Sequence, residues 1–189
     1  MIPKTIKEHF SEIRKCKKCT EEETHIDLPQ PGLFLGRKYL FIGQNPGYPN
    51  VQKMKLNEIL LDKNTDDEKF HDTYKQIQLN WKFYNGFIKH IIRDSMDFSI
   101  INICRCPTKM NACPSCEMIE NCNKYLLKSI ELINPKYIIC VGHIAQIEIK
   151  TLELDKKYKC VYSNHYAYLM RQPRNYVKNY LNEIKKQLQ

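Results

Sequence analysis

The sequence predicts an α/β protein with three layers, in which helices cover both faces of a central parallel sheet of four strands. Short apolar runs that stop at a glycine or a polar residue predict strands buried on both faces. Segments with apolar residues at helical spacing separate these runs and predict the helices. Because strands that alternate with helices pair in parallel, their carboxyl ends are expected to meet at one edge, where such sheets bind ligands.

Each strand is predicted from an apolar run with a clear end. Gly43 stops the first run, Asn102 lies at the end of the second, Gly142 follows the third, and His165 comes shortly after the fourth. The strands are predicted at residues 38–42, 98–103, 137–141 and 159–163.

The helices are predicted from apolar residues that recur every three or four positions. In the first helix, Ile6, Phe10 and Ile13 share one face, and Asn134-Pro135 provides a stop signal for a later one. The helices are predicted at residues 3–15, 81–93, about 120–133, 143–152 and 174–188.

Three segments interrupt this pattern. Residues 20–36 and 107–118 are predicted as loops, because prolines and glycines punctuate the first and prolines and cysteines the second. Residues at about 49–80 are rich in charge and are predicted as a variable insertion, with one helix near 51–61 and a connecting segment after it.

Composition limits the class of protein. The 189 residues are expected to form a single domain, residues 1–189, because 42% of them are apolar, enough for one core. No apolar run reaches the roughly 18 residues of a membrane span, and the first residues lack the apolar stretch of a secretion signal. We therefore expect a monomeric cytoplasmic protein, associated with the nucleoid if it binds DNA.

The charge balance indicates a polyanionic partner. Thirty Lys and Arg residues against twenty-one Asp and Glu residues give a formal net charge of +9. Such a charge favours nucleic acid, because neutralised phosphates release their counterions. Many basic proteins bind no nucleic acid, so the charge by itself leaves both interpretations open.

Nine cysteines are many for a chain in a reducing compartment, where clustered cysteines indicate a metal or a catalytic role rather than disulfides. Two Cys-x-x-Cys pairs are present, with further cysteines on either side of the second pair. These clustered cysteines are Cys16, Cys19, Cys106, Cys113, Cys116 and Cys122. Four thiolates suit either a zinc ion or a [4Fe–4S] cluster. The strand cysteines Cys104, Cys140 and Cys160 are interpreted as small buried apolar residues.

Polar residues follow the predicted strands at the edge where the carboxyl ends meet. They are the segment Gly43-Gln44-Asn45-Pro46-Gly47, Asn102 and His165. Taken singly, residues 43–47 suit a tight turn, Asn102 suits the cap of a loop, and His165 suits an ordinary surface position. Their shared position at the sheet edge favours one ligand pocket instead.

The order and spacing of these segments resemble the uracil-DNA glycosylase superfamily, most of all its iron–sulfur-containing family 4. The resemblance covers about residues 16–174, apart from the charged insertion. The sequence departs from the family pattern at two positions. Family 4 has Glu at the position of Gln44, and the fastest family has Asp at the position of Asn45. Gly-x-Asn-Pro-Gly looks instead like the mismatch-specific and single-strand-selective families, in which Asn holds the attacking water.

The resemblance implies roles for the pocket residues. Asn45 would position the water, His165 would hydrogen-bond uracil O2 as the base leaves, and Asn102 would pair with uracil O4 and N3–H. The base would also be bound by Gly43, Gln44 and Gly47. Gly47 stands where the fastest family has a Tyr that blocks the methyl group of thymine, so that methyl is not excluded there.

A stacking aromatic and a DNA-inserting loop are also implied. Phe83 is the candidate for stacking on the base, with Trp81 as the other candidate. Residues 165–171 resemble the second family motif, His-Pro-Ala-x-Leu-Leu-Arg, with Tyr166 in place of Pro. Leu169, Met170 and Arg171 would then enter the base stack and fill the gap left by the flipped nucleotide.

The resemblance also implies a ligand set. Cys16, Cys19, Cys106 and Cys122 match the cluster cysteines of family 4 by position, which favours a structural [4Fe–4S] cluster over zinc. The expected function is a DNA-repair glycosylase that flips and releases uracil. The alternatives are the same fold acting on another base, such as thymine in G·T pairs or hypoxanthine, and a metal-stabilised nucleic-acid-binding protein without catalysis.

Overall fold

The computed structural model of the chain describes residues 3–19, 29–47, 65–93, 95–109 and 112–189. The helix predicted near residues 51–61 lies outside the described residues. Within them, the three-layer α/β architecture is confirmed, with a mostly parallel sheet between helices.

The sheet contains the four predicted parallel strands and one additional strand. The strands are β1 Leu33–Phe34, β2 Tyr39–Gly43, β3 Phe98–Asn102, β4 Tyr137–Val141 and β5 Lys159–Ser163. Their order across the sheet is β1-β3-β2-β4-β5, and all neighbours except β1 and β3 are parallel. From β2 the chain adds β3 on one side of the sheet, and from β4 it adds β5 on the other side. This change of direction opens a crevice at the carboxyl ends of β2 and β4.

Strand β1 corrects the prediction of a loop over residues 20–36. Leu33 and Phe34 pair antiparallel with Ile100 and Ser99 of β3 and cover that edge of the sheet. Both residues are buried. A strand of two residues has no periodicity to recognise, so the sequence pattern could not predict it.

The helices largely follow the predicted order. They are α1 Lys4–Arg14, α2 Asp67–Leu79, α3 Lys89–Ile92, α4 Cys116–Ile133, α5 His143–Thr151, α6 Tyr166–Leu169 and α7 Arg174–Gln187. A π-helical turn, Tyr84–Ile88, leads into α3, and a 3₁₀ turn, Leu154–Lys156, precedes β5. The short α6 was not predicted.

Helix α2 corrects the prediction of a connecting segment in the second half of the insertion. Asp66 caps its first turn by accepting hydrogen bonds from the backbone N–H groups of Glu68 and Lys69. Phe70 and Tyr74 lie on its buried face. Charged residues dominate the composition of this helix and hide its narrow apolar face, which is why the sequence pattern pointed to a loop.

Helix α4 begins at Cys116, about four residues before the predicted start. The Ser115 hydroxyl accepts a hydrogen bond from the backbone N–H of Met118 at 3.1 Å and caps the helix. The loop predicted over residues 107–118 is therefore shorter than expected, and Cys122 lies inside the helix rather than at its start.

Two apolar layers hold the sheet between the helices. On one face, Phe41, Phe87 and Phe98 lie in a single core cluster that also contains α7 residues. On the other face, Leu40, Ile138 and Leu126 belong to a second cluster. Among the described residues, no helix combines the length and apolar character needed to cross a membrane.

A buried histidine joins α1 to α4. His9 is 5% exposed, and its Nε2 lies 2.9 Å from the Ser129 hydroxyl oxygen. The Ser129 hydroxyl donates to the Tyr125 carbonyl at 2.7 Å, so the His9 Nε2–H must be the donor to Ser129. Burial, and then the charge of Arg105, lower the pKa of His9 from 6.5 to about 4.

Folding stability is expected to fall as the pH drops from about 6.5 towards 4. In this window the unfolded chain protonates His9 and the folded protein does not, so acid favours unfolding. The free energy of unfolding should be about 2 kcal/mol lower at pH 5 than at pH 7 from His9 alone. Burial also lowers the pKa of His71, which acts in the same direction. Chemical denaturation at the two pH values measures the difference.

The matched variant His9→Gln keeps an N–H donor for Ser129 but has no group that titrates in this range. Its stability should change less between pH 7 and pH 5 than that of the parent protein. An equal change in the two proteins would contradict the assignment.

Candidate active site

The predicted pocket residues line up along one edge of the sheet. Asn102 ends β3, Gly43 ends β2, Gly142 follows β4 and His165 comes two residues after β5. Because the strand order is β3-β2-β4-β5, these residues are neighbours in that order along the carboxyl edge. The structure thus brings together the three segments that the sequence separates by up to 122 positions.

Gly43 and Asn102 form one side of the site. They are register partners in the parallel β2–β3 ladder, and the pairing continues with the Ile103 N–H donating to the Gly43 carbonyl at 2.9 Å. A Cβ atom at position 43 would lie 2.6 Å from the Asn102 side-chain oxygen. Only glycine therefore lets the Asn102 amide lie over β2. Among the described residues, that amide makes no hydrogen bond and is half-buried at the sheet edge.

Hydrogen bonds fix the orientation of the Asn45 amide. The Thr108 hydroxyl donates its proton to the Ala112 carbonyl at 2.7 Å, so its oxygen is an acceptor towards Asn45. Asn45 Nδ2 donates to this oxygen at 2.9 Å. The Asn45 Oδ1 atom therefore faces away from Thr108, and it has no hydrogen-bond partner in the described part of the chain. Gln44 Nε2 also donates to the Ala112 carbonyl, at 3.4 Å.

His165 is held against the turn that follows β4. Gly142 has a φ of +93°, a conformation that favours glycine, and a Cβ at this position would lie 3.4 Å from His165 Cβ and Cδ2. His165 Nδ1 accepts a hydrogen bond from the backbone N–H of Ala167 at 3.3 Å. The neutral ring therefore carries its proton on Nε2, which is left as a donor.

Electrostatics keep the His165 ring neutral. Desolvation by its surroundings, and then the positive charge of Arg171, lower the pKa of His165 below its usual 6.5. A neutral imidazole with Nε2–H is a hydrogen-bond donor that transfers no proton. Arg171 adds a positive charge on the same side of the site.

Phe83 packs against Tyr166, the residue that follows this histidine. Its ring centroid lies 4.9 Å from that of Tyr166, whose own centroid is 4.8 Å from that of His165. Tyr166, which stands in place of the family's proline, thus lies between the histidine and Phe83. Phe83 also meets Phe41 of β2 edge-to-face at 6.5 Å. Trp81 precedes this π-helical segment and is half-buried.

The residues after His165 differ in exposure. Met170 is 51% exposed, and Arg171 is exposed as well. Leu169 is 2% exposed and packs in the core. A Cβ on Gly86 would lie 3.2 Å from Met170 Sδ, so the loop rests on the π-helical turn. Entry of Leu169 into DNA would require this side chain to leave the core, whereas Met170 is already at the surface. Gly47 ends a described segment and is half-buried.

The four cysteines implied as ligands line one cavity. Cys16 and Cys19 follow α1, Cys106 follows β3, and Cys122 lies in α4. Cys113 and Cys116 are exposed and do not line the cavity. No group of three or more His, Cys, Asp or Glu side chains within the described ranges is arranged to hold a single metal ion.

Arg105 supplies a buried positive charge beside the cavity. Its side chain is among the largest fully buried ones, and its guanidinium donates to the Pro31 and Tyr125 carbonyls and to the Ser129 hydroxyl. Its Nε atom has no partner. Burial lowers the pKa of Arg105 to about 10, which still leaves it charged at neutral pH. No carboxylate of the described residues pairs with it.

Two contacts draw negative charge onto Cys122. The Arg105 backbone N–H donates to the Cys122 sulfur at 3.4 Å, and the Cys104 thiol hydrogen-bonds the same sulfur. These contacts lower the pKa of Cys122 and raise that of Cys104. Cys104, interpreted from sequence as only a small apolar residue, thus also affects the pKa of Cys122.

Sequence reasoning missed Thr108 and Arg105. Thr108 follows the Cys106-Pro107 pair, and Arg105 lies between Cys104 and Cys106. Their closeness to a cysteine implied as a ligand is the sequence signal that could have identified them. A buried arginine flanked by cysteines is an unusual pattern, because an arginine is rarely buried without a partner.

The doubly wound sheet, with two amides and a histidine at the edge where its winding reverses, defines an α/β protein of the class that binds its ligands at this edge. Comparison with known proteins identifies the family. Residues 33–189 match the family model of the uracil DNA glycosylase superfamily, so the chain belongs to this superfamily.

A curated relative is similar to a large part of the chain. The type-4 uracil-DNA glycosylase of Archaeoglobus fulgidus is 26% identical over 135 residues, which are 71% of this chain. The match covers 58% of that relative. The chain therefore spans less than two thirds of the length of the relative that it matches.

Proposed function

We propose that the protein is a DNA glycosylase that hydrolyses the N-glycosidic bond of deoxyuridine after flipping the nucleotide out of the DNA. The observation that carries the proposal is the pair of oriented groups at the sheet edge. The Asn45 amide presents an acceptor, because Thr108 occupies its donor, and His165 presents an Nε2–H donor, because Ala167 occupies its other nitrogen.

Asn45 would act on the attacking water. Its Oδ1 accepts one O–H of the water and holds the oxygen towards the sugar carbon as the base departs. Asn45 cannot take the proton, and residues 43–47 contain no carboxylate, so the proton that the water loses passes through solvent to the departing uracil anion. The contribution of Asn45 is therefore positioning, and slower chemistry is expected than with a carboxylate base.

His165 would act on the leaving base. As the glycosidic bond breaks, negative charge develops on uracil O2, and the Nε2–H hydrogen bond stabilises it. The lowered pKa of His165 keeps the ring neutral, so it donates a hydrogen bond without transferring its proton. The charge of Arg171 lies on the same side and further favours an anionic base.

Asn102 would select the base. With Nδ2 towards O4 and Oδ1 towards N3–H, its amide would match uracil and mismatch cytosine, where these polarities are reversed. Phe83 would stack on the base, and its packing against Tyr166 beside His165 supports it over Trp81. Backbone at Gly43 and Gln44 would complete the pocket.

A second candidate is activity on thymine or another 5-substituted uracil. Gly47 carries no side chain where the fastest family blocks the 5-position, and this observation favours a wider pocket. Oligonucleotides with U, T opposite G, and hypoxanthine distinguish the two candidates.

DNA would be held by the loop after His165 and by the basic surface. Among the three residues implied by the resemblance, the exposure of Met170 and Arg171 supports insertion by these two. Leu169 would contribute by anchoring the loop in the core.

The cysteine cavity fits a [4Fe–4S] cluster held by Cys16, Cys19, Cys106 and Cys122. The buried charge of Arg105, with its unpartnered Nε, and the donors to Cys122 suit a set of anionic thiolates. Such a cluster would tie the N-terminal segment to the loop after β3.

Base release from a uracil-containing oligonucleotide tests the proposed activity. Asn45→Ala and His165→Ala should each lower turnover by about 10²-fold, because each loses a positioned group. Alkaline cleavage of single- and double-stranded DNA measures the release. Wild-type rates in both variants, or no release by a folded parent protein from any of the tested bases, would contradict it.

Thr108→Val should lower kcat by about tenfold with little change in KM, because the Asn45 amide loses the hydroxyl that orients it. Thr108→Ser keeps the hydroxyl and should retain most of the activity. Steady-state kinetics of the two variants provide the comparison. Equal activity of the Val and Ser variants would show that Thr108 does not act through Asn45.

Iron analysis and visible absorption test the cluster. Cys106→Ala and Cys122→Ala should lose iron and the visible band, because each removes one thiolate ligand. Cys113→Ala and Cys116→Ala are matched controls from outside the cavity and should keep both. Stoichiometric zinc without visible absorption, or loss of iron in the control variants, would contradict the ligand set.

A further inference from the structure

A groove lies between the second half of α4 and the segment that leads into β5. Its volume is about 410 Å³, which is in the range of sites that bind ligands. The segment before β5 lies at the amino edge of the sheet, whereas the candidate active site occupies the carboxyl edge. A ligand in this groove would therefore leave the candidate active site free.

One wall of the groove is a face of α4. Lys124, Leu127, Lys128 and Glu131 line the groove, and their spacing of three or four residues places them on one side of the helix. Leu127 lies within this face and is 41% exposed. A single exposed leucine is ordinary on a protein surface, but here it offers an apolar contact inside a groove.

The other wall is anchored to the core. The backbone N–H groups of Lys157 and Tyr158 both donate to the Leu154 carbonyl, at 3.1 and 2.9 Å. The Leu154 side chain is buried in the core cluster that α4 also joins, and Tyr158 packs against the same cluster. Both walls are therefore formed before any ligand binds.

The charge that lines the groove is positive. Three lysines, Lys124, Lys128 and Lys157, face one carboxylate, so two positive charges remain. The Lys128 ammonium lies 3.2 Å from the Glu131 carboxylate, an exposed pair that contributes little stability. Lys124 has an equally exposed partner in Glu12 at 3.8 Å, and Lys157 forms no ion pair within the described ranges. The lysines are thus available to an anionic partner.

We propose that this groove, here named the lysine groove, binds an acidic peptide segment of a partner protein. Carboxylates of the segment pair with the three lysines, and an apolar side chain between them covers Leu127 and Tyr158. The phosphates of a nucleic acid would satisfy the lysines but leave Leu127 uncovered. A second copy of this chain would place lysine against lysine, because a two-fold interface brings the same face together.

Fluorescence anisotropy with a labelled synthetic peptide, Asp-Asp-Leu-Asp-Asp-Phe-Asp-Asp, tests the inference at one salt concentration. Leu127→Gln and Lys128→Gln/Lys157→Gln should each lower affinity by at least about tenfold, because one loses the apolar contact and the other two charges. A second probe with Ser in place of Leu and Phe should bind the parent protein at least about tenfold more weakly than the first.

Two control variants match these changes outside the groove. Ile147→Gln removes an apolar side chain that is 45% exposed on α5. Lys82→Gln/Lys89→Gln removes two exposed charges from the segment that packs on the opposite face of the sheet. Both controls should bind the first probe like the parent protein. All substituted positions are exposed, and thermal melting verifies that each variant folds.

Four results would each overturn the inference. The first is no binding by the parent protein at about 1 mM probe, the limit of weak association. The second is unchanged affinity in the groove variants, or an equal loss in the controls. Displacement of the probe by a uracil-free DNA duplex would instead assign the groove to nucleic acid. A parent dimer that dissociates in Leu127→Gln, measured by sedimentation, would assign it to a second copy.

The inference goes beyond the proposed function and does not depend on it. None of these measurements requires base release. A protein that releases no base but binds the probe as expected would contradict only the proposed activity.

Discussion

The buried guanidinium of Arg105 is the interaction on which most of the structure around the site depends. It joins the segment before β1, through the Pro31 carbonyl, to α4, through Tyr125 and Ser129. Ser129 also receives His9 from α1. Breaking a buried charge network of this kind costs several times more than losing a surface contact, because its partners cannot turn to water. The N-terminal helix, the cysteine cavity and the loop after β3 therefore hold their positions together.

That loop connects the cysteine cavity to the candidate active site. Cys106 faces the cavity, and Thr108, two residues later, orients the Asn45 amide. A displacement of the loop would reach both sites, since the residues are too close in sequence to move independently. In the proposed enzyme the cluster cysteines would thus affect the catalytic rate by fixing this loop, without contacting the substrate.

The opposite side of the site is built differently. His165 depends on the close approach of Gly142 and on a single backbone hydrogen bond, and the surface beyond it is aromatic and basic. One side of the site is therefore a polar frame on β2 and β3, and the other is an exposed loop supported by α7. In the proposed enzyme, base selection and DNA binding would be divided between these two sides.

The sequence by itself determined the four parallel strands and the residues at their ends, because buried strands and their stops are local patterns of apolar residues. It predicted wrongly where the pattern was short or masked by charge, as in Leu33–Phe34 and α2. Only the tertiary structure decided that Leu169 is buried while Met170 is exposed, that Cys113 and Cys116 lie outside the cavity, and that Thr108 orients Asn45. These properties depend on contacts between segments distant in sequence, and no local pattern records them.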